Sequence, residues 1–203
     1  FFKLPTNRIE EANLTLTVDS NYGPLTSANI DIWALGYMST PAMNSAWLAT
    51  ADIDTRALIN NNVPFTKIAD NIITMGQTAT VGSVWQLNAS QRTNLTAYLN
   101  SLYEKGALPG DYVVIRVNPD ASFTAAQNIR FGSSREASAR QAKLTLTLSG
   151  DPAPSATEGT VQIYSHPNDG GVYAGGVSTL TDLISGTGGA GPTDWSGIAF
   201  FAL

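Results

Sequence analysis

His166 is the single histidine of this 203-residue chain. It precedes the turn-forming run Pro167-Asn168-Asp169-Gly170. A Ser-His-Asp triad needs a presented nucleophile, and no G-x-S-x-G elbow occurs, so His166 reads as a turn residue. One histidine and no cysteine exclude a three-histidine or thiolate zinc centre. Sixteen carboxylates supply material for a glycosidase pair, whose two members must flank a scissile bond at a set separation. The local pairs Asp52/Asp54 and Glu10/Glu11 read instead as surface charge. Glu136, flanked by Arg135 and Arg140, reads as one half of a structural ion pair. These residues point away from an enzyme.

Binding chemistry has more to work with. Asp19, Asn21, Asn168, Asp169 and Asp182 lie in or near expected loops and carry the hard oxygens that calcium prefers. Their spacing matches no EF-hand loop, and turn-forming side chains account for them equally well. No cofactor is expected beyond that option of structural calcium. Trp33, Trp47, Trp85, Trp195 and seven tyrosines could offer stacking surface to a sugar. Within Asn29-Ile30-Asp31-Ile32-Trp33-Ala34, alternation puts Trp33 opposite Ile30, Ile32 and Ala34. Trp33 is therefore the candidate outward-facing glycan platform, against the competing expectation that a sandwich tryptophan belongs to a core.

Composition narrows the partner classes. Hydrophobic residues make up 43% and charged residues 13%, about half the usual charged share of ~25%. A net charge of −5 argues against nucleic acid, which requires a basic footprint, and against an anionic membrane surface. No apolar run approaches the roughly 18 residues of a membrane span. A polar surface built from Thr, Ser, Asn and Gly fits an extracellular or cell-surface protein. The chain opens on Phe1 without methionine, which reads as a processing boundary.

The elements that must position these residues are mostly strands. Ala12 to Val18 and Ala142 to Leu148 alternate apolar and polar residues strictly, as half-buried strands do. Asp111 to Val117 is a β-branched run suited to a central strand. Shorter candidates are 71–75, 83–87, 128–131, 161–164, 171–177 and 197–203. One stretch, 89–105, reads firmly as a helix: Leu95, Leu99 and Leu102 share a face, Asn88 and Gln91 form a capping pair, and Lys105-Gly106 closes it. A shorter helix is a weaker expectation at 46–58. The expected fold is all-β, a two-sheet antiparallel jelly-roll-like sandwich with one crossover helix. Residues 1–150 form its main body, 151–159 a Pro-flanked linker, and 160–203 the C-terminal strands.

Phe1-Phe2-Lys3-Leu4 is echoed by Phe200-Phe201-Ala202-Leu203. Both segments are apolar and strand-like. Residues 160–203 thus read as the opening strands of a sandwich whose remainder is 1–150. They would complete the chain's own sandwich or, by strand exchange, that of a neighbouring copy. Exchange makes a heterologous head-to-tail contact, which builds a filament unless it closes into a ring. Phe200, Phe201, Leu203, Phe1, Phe2 and Leu4 are the expected self-assembly residues.

Several of these segments together resemble the DNRLRE domain, a repeat of large secreted bacterial and archaeal proteins. Phe1-Phe2-Lys3-Leu4 with Ala12 to Val18 is similar to its "F-x-L … A-x-L-x-L" opening. Trp85-Gln86-Leu87-Asn88 and the following helix are similar to its "L-D-V-T" strand and helix. Phe131 to Glu136 with Ala142 to Leu148 resembles its closing "F-x-S-x-E … P-x-L-x-V" pattern, and 169–203 resembles its opening in permuted order. The namesake hexapeptide and the family's "T-W-x-x-x-P" stretch do not occur. The resemblance implies a jelly-roll-like sandwich without catalysis, acting as a surface repeat or as a binder of polysaccharides such as alginate. The leading expectation is a structural module whose partners are copies of itself. The alternative is a carbohydrate-binding module for acidic polysaccharide.

Overall fold

Alternation of the expected kind governs the first strand. In the computed structural model Ala12, Leu14, Leu16 and Val18 are all buried, while Asn13 and Thr15 between them stay half-exposed. The structure describes residues 9–20, 25–26, 28–42, 58–60, 62–121, 128–133, 136–137 and 139–149, and the backbone of 21, 160–164, 170–173, 176–178, 182–187 and 194–202. Its elements are β1 (Ile9–Asn21), β2 (Ile30–Met38), β3 (Thr66–Ile73), β4 (Val84–Gln86), α1 (Ala89–Glu104), β5 (Tyr112–Pro119), β6 (Asn128–Gly132), β7 (Lys143–Leu148), β8 (Thr160–Tyr164), β9 (Gly170–Tyr173), β10 (Gly176–Ser178), β11 (Asp182–Thr187) and β12 (Asp194–Ala202).

Two antiparallel sheets result, with one helix. The first has the order β4-β1-β7-β8. The second runs β3-β2-β5-β12-β11-β6-β1, with the β9–β10 ribbon attached to β12. β1 belongs to both. Residues 9–17 pair in the first sheet, and a register shift between Val18 and Ser20 carries the strand into the second. Such a bulge bends a strand and increases its twist, which lets one strand turn a sandwich corner.

The core lies between the sheets. β1 and β7 are neighbours in the first sheet, with Leu14 beside Leu144 and Ala12 beside Leu146, so matched alternation puts their apolar side chains on the same, buried face of that sheet. Each buried leucine there contributes roughly 1.5–3 kcal/mol. β5 is buried along its whole length. Val113, Ile115 and Val117 join the main core, while Tyr112 and Val114 join a smaller cluster with Trp33 and Leu35 on the other face. Two covered faces explain why β5 reads as a continuous apolar run rather than an alternating one.

The helix forms as its sequence predicts. Asn88 accepts from the Gln91 backbone N–H at 3.0 Å, and the Gln91 side chain accepts from the Asn88 N–H at 2.9 Å. That is a complete capping box. Leu95, Tyr98, Leu99 and Leu102 make its buried face. It ends where Gly106 takes φ +101; the Gly106 N–H donates to Tyr103 and the Ala107 N–H to Leu102. This paired closure satisfies the last carbonyls and needs a left-handed residue at Gly106.

Some boundaries differ from expectation. The strand expected at 71–75 runs from Thr66 to Ile73, because Asn71 sits at φ +52 and breaks the alternation. β11 was not expected, since Leu183-Ile184-Ser185-Gly186 lies within a glycine-rich stretch. The helix expected at 46–58 and the linker 151–159 lie outside the described residues, apart from Leu58, which is not helical.

Candidate assembly interface

The C-terminal strands pair with the body of their own chain along three seams. β8 pairs with β7 from Lys143↔Tyr164 to Thr147↔Thr160. β11 pairs with β6 from Asp182↔Gly132 to Gly186↔Asn128. β12 pairs with β5 from Gly197↔Val117 to Ala202↔Tyr112. Phe200 and Phe201 are in register with Val114 and Val113. The side chains of Phe200 and Phe201, and all of Phe1, Phe2, Leu4 and Leu203, lie outside the described residues. Without 160–202, strands β5, β6 and β7 would each present an open edge.

The remaining edges are treated unequally. β3 has Lys67 and Asp70 on it, and its register with β2 shifts twice. Charge and bulging both discourage edge-to-edge pairing. The start of β1, beyond the reach of β4, is closed by α1. The Asn100 side chain accepts from Ile9 N at 3.1 Å and donates to Ile9 O at 2.9 Å. Thr96 Oγ1 accepts from Ala12 N at 2.9 Å. Sequence reading missed this role, because both residues look like ordinary polar positions on a helix face. Among the described residues β4 pairs with β1 alone, and β8 with β7 alone. Neither contains a charge, a proline or a register shift. Beside the β4 edge, Val81 and Val84 are exposed.

Trp33 does point away from Ile30, Ile32 and Ala34, as alternation implies, but it is not an exposed platform. It is only 9% exposed. The Lys67 ammonium lies 5.5 Å from its ring centroid and the Arg116 guanidinium 5.8 Å. Arg116 is fully buried and donates from Nε to Asn118 Oδ1 at 3.1 Å. Asp31, also fully buried, lies 3.3 Å from Lys67 and accepts from Asn71 N at 2.6 Å. On the outer face of β2, β3 and β5, Lys67 thus meets both Asp31 and Asp70, with Arg116 on the other side of Trp33 in register. The bond that Asn71 N–H donates to Asp31 also supports the left-handed backbone of Asn71. The opposing charges leave the cluster without a net preference for an anion.

Other sequence candidates disperse. Arg140 pairs with Asp19 of β1 at 2.9 Å rather than with Glu136, and Arg135 lies outside the described residues. His166, Asn168 and Asp169 also lie outside them. The side chains of Asn21 and Asp182 lie outside them as well; among the described residues no three His, Cys, Asp or Glu side chains gather. A groove of about 830 Å³ runs between α1 and the start of β1, lined by Glu10, Glu11, Arg92, Thr93, Asn100 and Ser149 among others. Arg92 meets Glu11 across it at 2.8 Å. Burial pushes the Tyr98 phenol well above its ordinary value, with the nearby Gly36 backbone opposing the shift in part. Burial and nearby Asp111 also raise Tyr103.

No family model, no curated protein and no solved structure matches the chain. Among the described residues no helix is long and apolar enough to cross a membrane.

Proposed function

We propose that this chain is a non-catalytic structural module of an extracellular assembly, joining copies of itself head to tail by β-strand complementation. One observation carries the reading. Residues 160–202 complete β5, β6 and β7 through registered main-chain ladders. The same slots accept the identical segment of another copy with no loss of pairing, so concentration and the strain of the connection decide between the two arrangements. The low charge and hydroxyl-rich surface support an extracellular setting.

A mixed-chain cross-link tests it, helped by the natural absence of cysteine. One chain bears Val114→Cys and another Phe200→Cys, positions in register across the β5–β12 seam. After refolding together, exchange yields a disulfide-linked dimer. A double variant that closes on itself, with no dimer from the mixture, would sink the proposal.

The groove beside α1 favours carbohydrate binding as a second reading. Its hydroxyl, amide and carboxylate groups suit a sugar, and two glutamates against one arginine suit a neutral glycan better than an acidic one. Affinity electrophoresis on neutral and acidic polysaccharides checks this, with Thr93→Trp as a blocking variant. Retardation unchanged by the block rules the groove out.

A further inference from the structure

Lys67 of β3 reaches a carboxyl group that it does not face in the ladder. The pairing of β2 with β3 shifts register on both sides of Ile32, and Asp31 stands opposite the run 70–72. Such bulges re-aim side chains. Here Lys67 Nζ lies 3.3 Å from Asp31 Oδ2, one bond from the carboxyl carbon. Lys67 Nζ also donates to Asp70 Oδ1 at 2.9 Å, and Asp70 Oδ2 accepts from Asn71 Nδ2 at 2.8 Å. The Asn71 N–H donates to Asp31 Oδ1 at 2.6 Å, from a backbone at φ +52. We propose that this cluster joins Lys67 Nζ to Asp31 Cγ in an isopeptide bond that cross-links β2 to β3.

A simple ion pair needs neither an oriented second carboxylate nor a main-chain donor on the far oxygen. Amide formation needs both. Asp70 carries one proton from Nζ to Asp31 Oδ2, leaving a neutral amine beside a neutral acid. The amine attacks Cγ, and the displaced electron pair moves to Oδ1. The Asn71 N–H holds that oxygen as its charge develops, as an oxyanion donor does. A second proton passes from the nitrogen to Oδ2, the Cγ–Oδ2 bond breaks, and one water leaves. Asp70 ends as it began, and no oxidant or further reactant is consumed. Holding the partners in contact supplies the effective concentration that free groups lack. Asp31 is fully buried, where keeping a charge is costly, and the amide removes both charges of the pair. Strained backbone at Asn71 is spent on placing the oxyanion donor. The chain has no cysteine, so this is a strand cross-link that needs no disulfide. The inference is independent of whether copies associate.

Intact-mass spectrometry of the full, folded chain tests it. The wild type should be lighter than its sequence mass by one water, and proteolysis should release a branched peptide joining the Asp31 and Lys67 segments. Lys67→Arg should keep its full sequence mass. Asp31→Asn should lose ammonia instead of water and so reach the same final mass as the wild type. Asp70→Asn should form the bond about a hundredfold more slowly. A wild type at its full sequence mass overturns the proposal. So does a water loss that persists in Lys67→Arg or yields no branched peptide, since that places the dehydration elsewhere in the chain.

Discussion

Asn100 of the helix treats Ile9 of β1 as a neighbouring strand residue would, accepting from its N–H at 3.1 Å and donating to its carbonyl at 2.9 Å. One side-chain amide thus closes both main-chain groups of a residue that β4 does not reach. Asn100→Ala should leave both underbonded in a partly buried setting. A loss of about 1–3 kcal/mol follows, readable by urea denaturation. The variant should also aggregate faster near its midpoint, because the β1 edge opens.

Asn88→Ala should cost about 0.5–2 kcal/mol by removing the side-chain half of the capping box, whereas Asn88→Gly should cost only a few tenths. Thermal melts of the two variants, compared with wild type, check the ranking.

Gly132→Ala is expected to be severe. A Cβ at Gly132 would run into the Arg140 backbone carbonyl, and Ala142 N–H donates to the Gly132 carbonyl at 3.1 Å. Main chain cannot rotate away as a side chain can, so the β6–β7 connection must shift. The expected loss is about 3 kcal/mol, at the upper end of overpacking costs, with reduced soluble yield as the first sign.

Trp33→Ala should act on folding. Its ring packs with Leu35, Tyr112 and Val114 and separates Lys67 from Arg116. Truncating a buried aromatic costs about 3–5 kcal/mol. A lowered denaturation midpoint should therefore accompany any loss of glycan retention in this variant. A fully stable Trp33→Ala protein would show that the ring is not packed as described.

The buried phenol of Tyr98 sets an alkaline limit. Its folded value lies above the unfolded value of about 10. Below that pH both states are protonated and the stability is fully present. Above it the unfolded chain loses its proton first, so stability falls as pH rises towards the folded value. Tyr98→Phe should flatten the decline of the denaturation midpoint above pH 10. Tyr103, shifted in the same direction, should leave a smaller slope.

Local pattern was legible in the sequence where one face of an element is buried and the other is not. β1 and β7 announced themselves by strict alternation, and α1 by its cap, its leucines and its closing glycine. β3 was misplaced because Asp31, forty residues away, holds Asn71 in a conformation that its neighbours do not encode. β11 was missed because its pairing with β6 supplies what its glycine-rich sequence lacks. At the candidate sites the same division holds. The parity of Trp33 was readable, but its cover depends on Lys67 and Arg116, which only strand register brings together. Thr96 and Asn100 carry no signal at all until β1 is seen to outrun β4.

β1, the strand shared by both layers, has a mechanical consequence. A sandwich whose sheets meet only through side chains can part like the leaves of a book. Here residues 9–17 are laced into one leaf and 18–21 into the other, so the spine is a covalent thread. Tension applied across the layers loads two ladders in shear at once. A chain of such modules should yield to stretching in whole-module steps, with no intermediate in which one sheet stands alone.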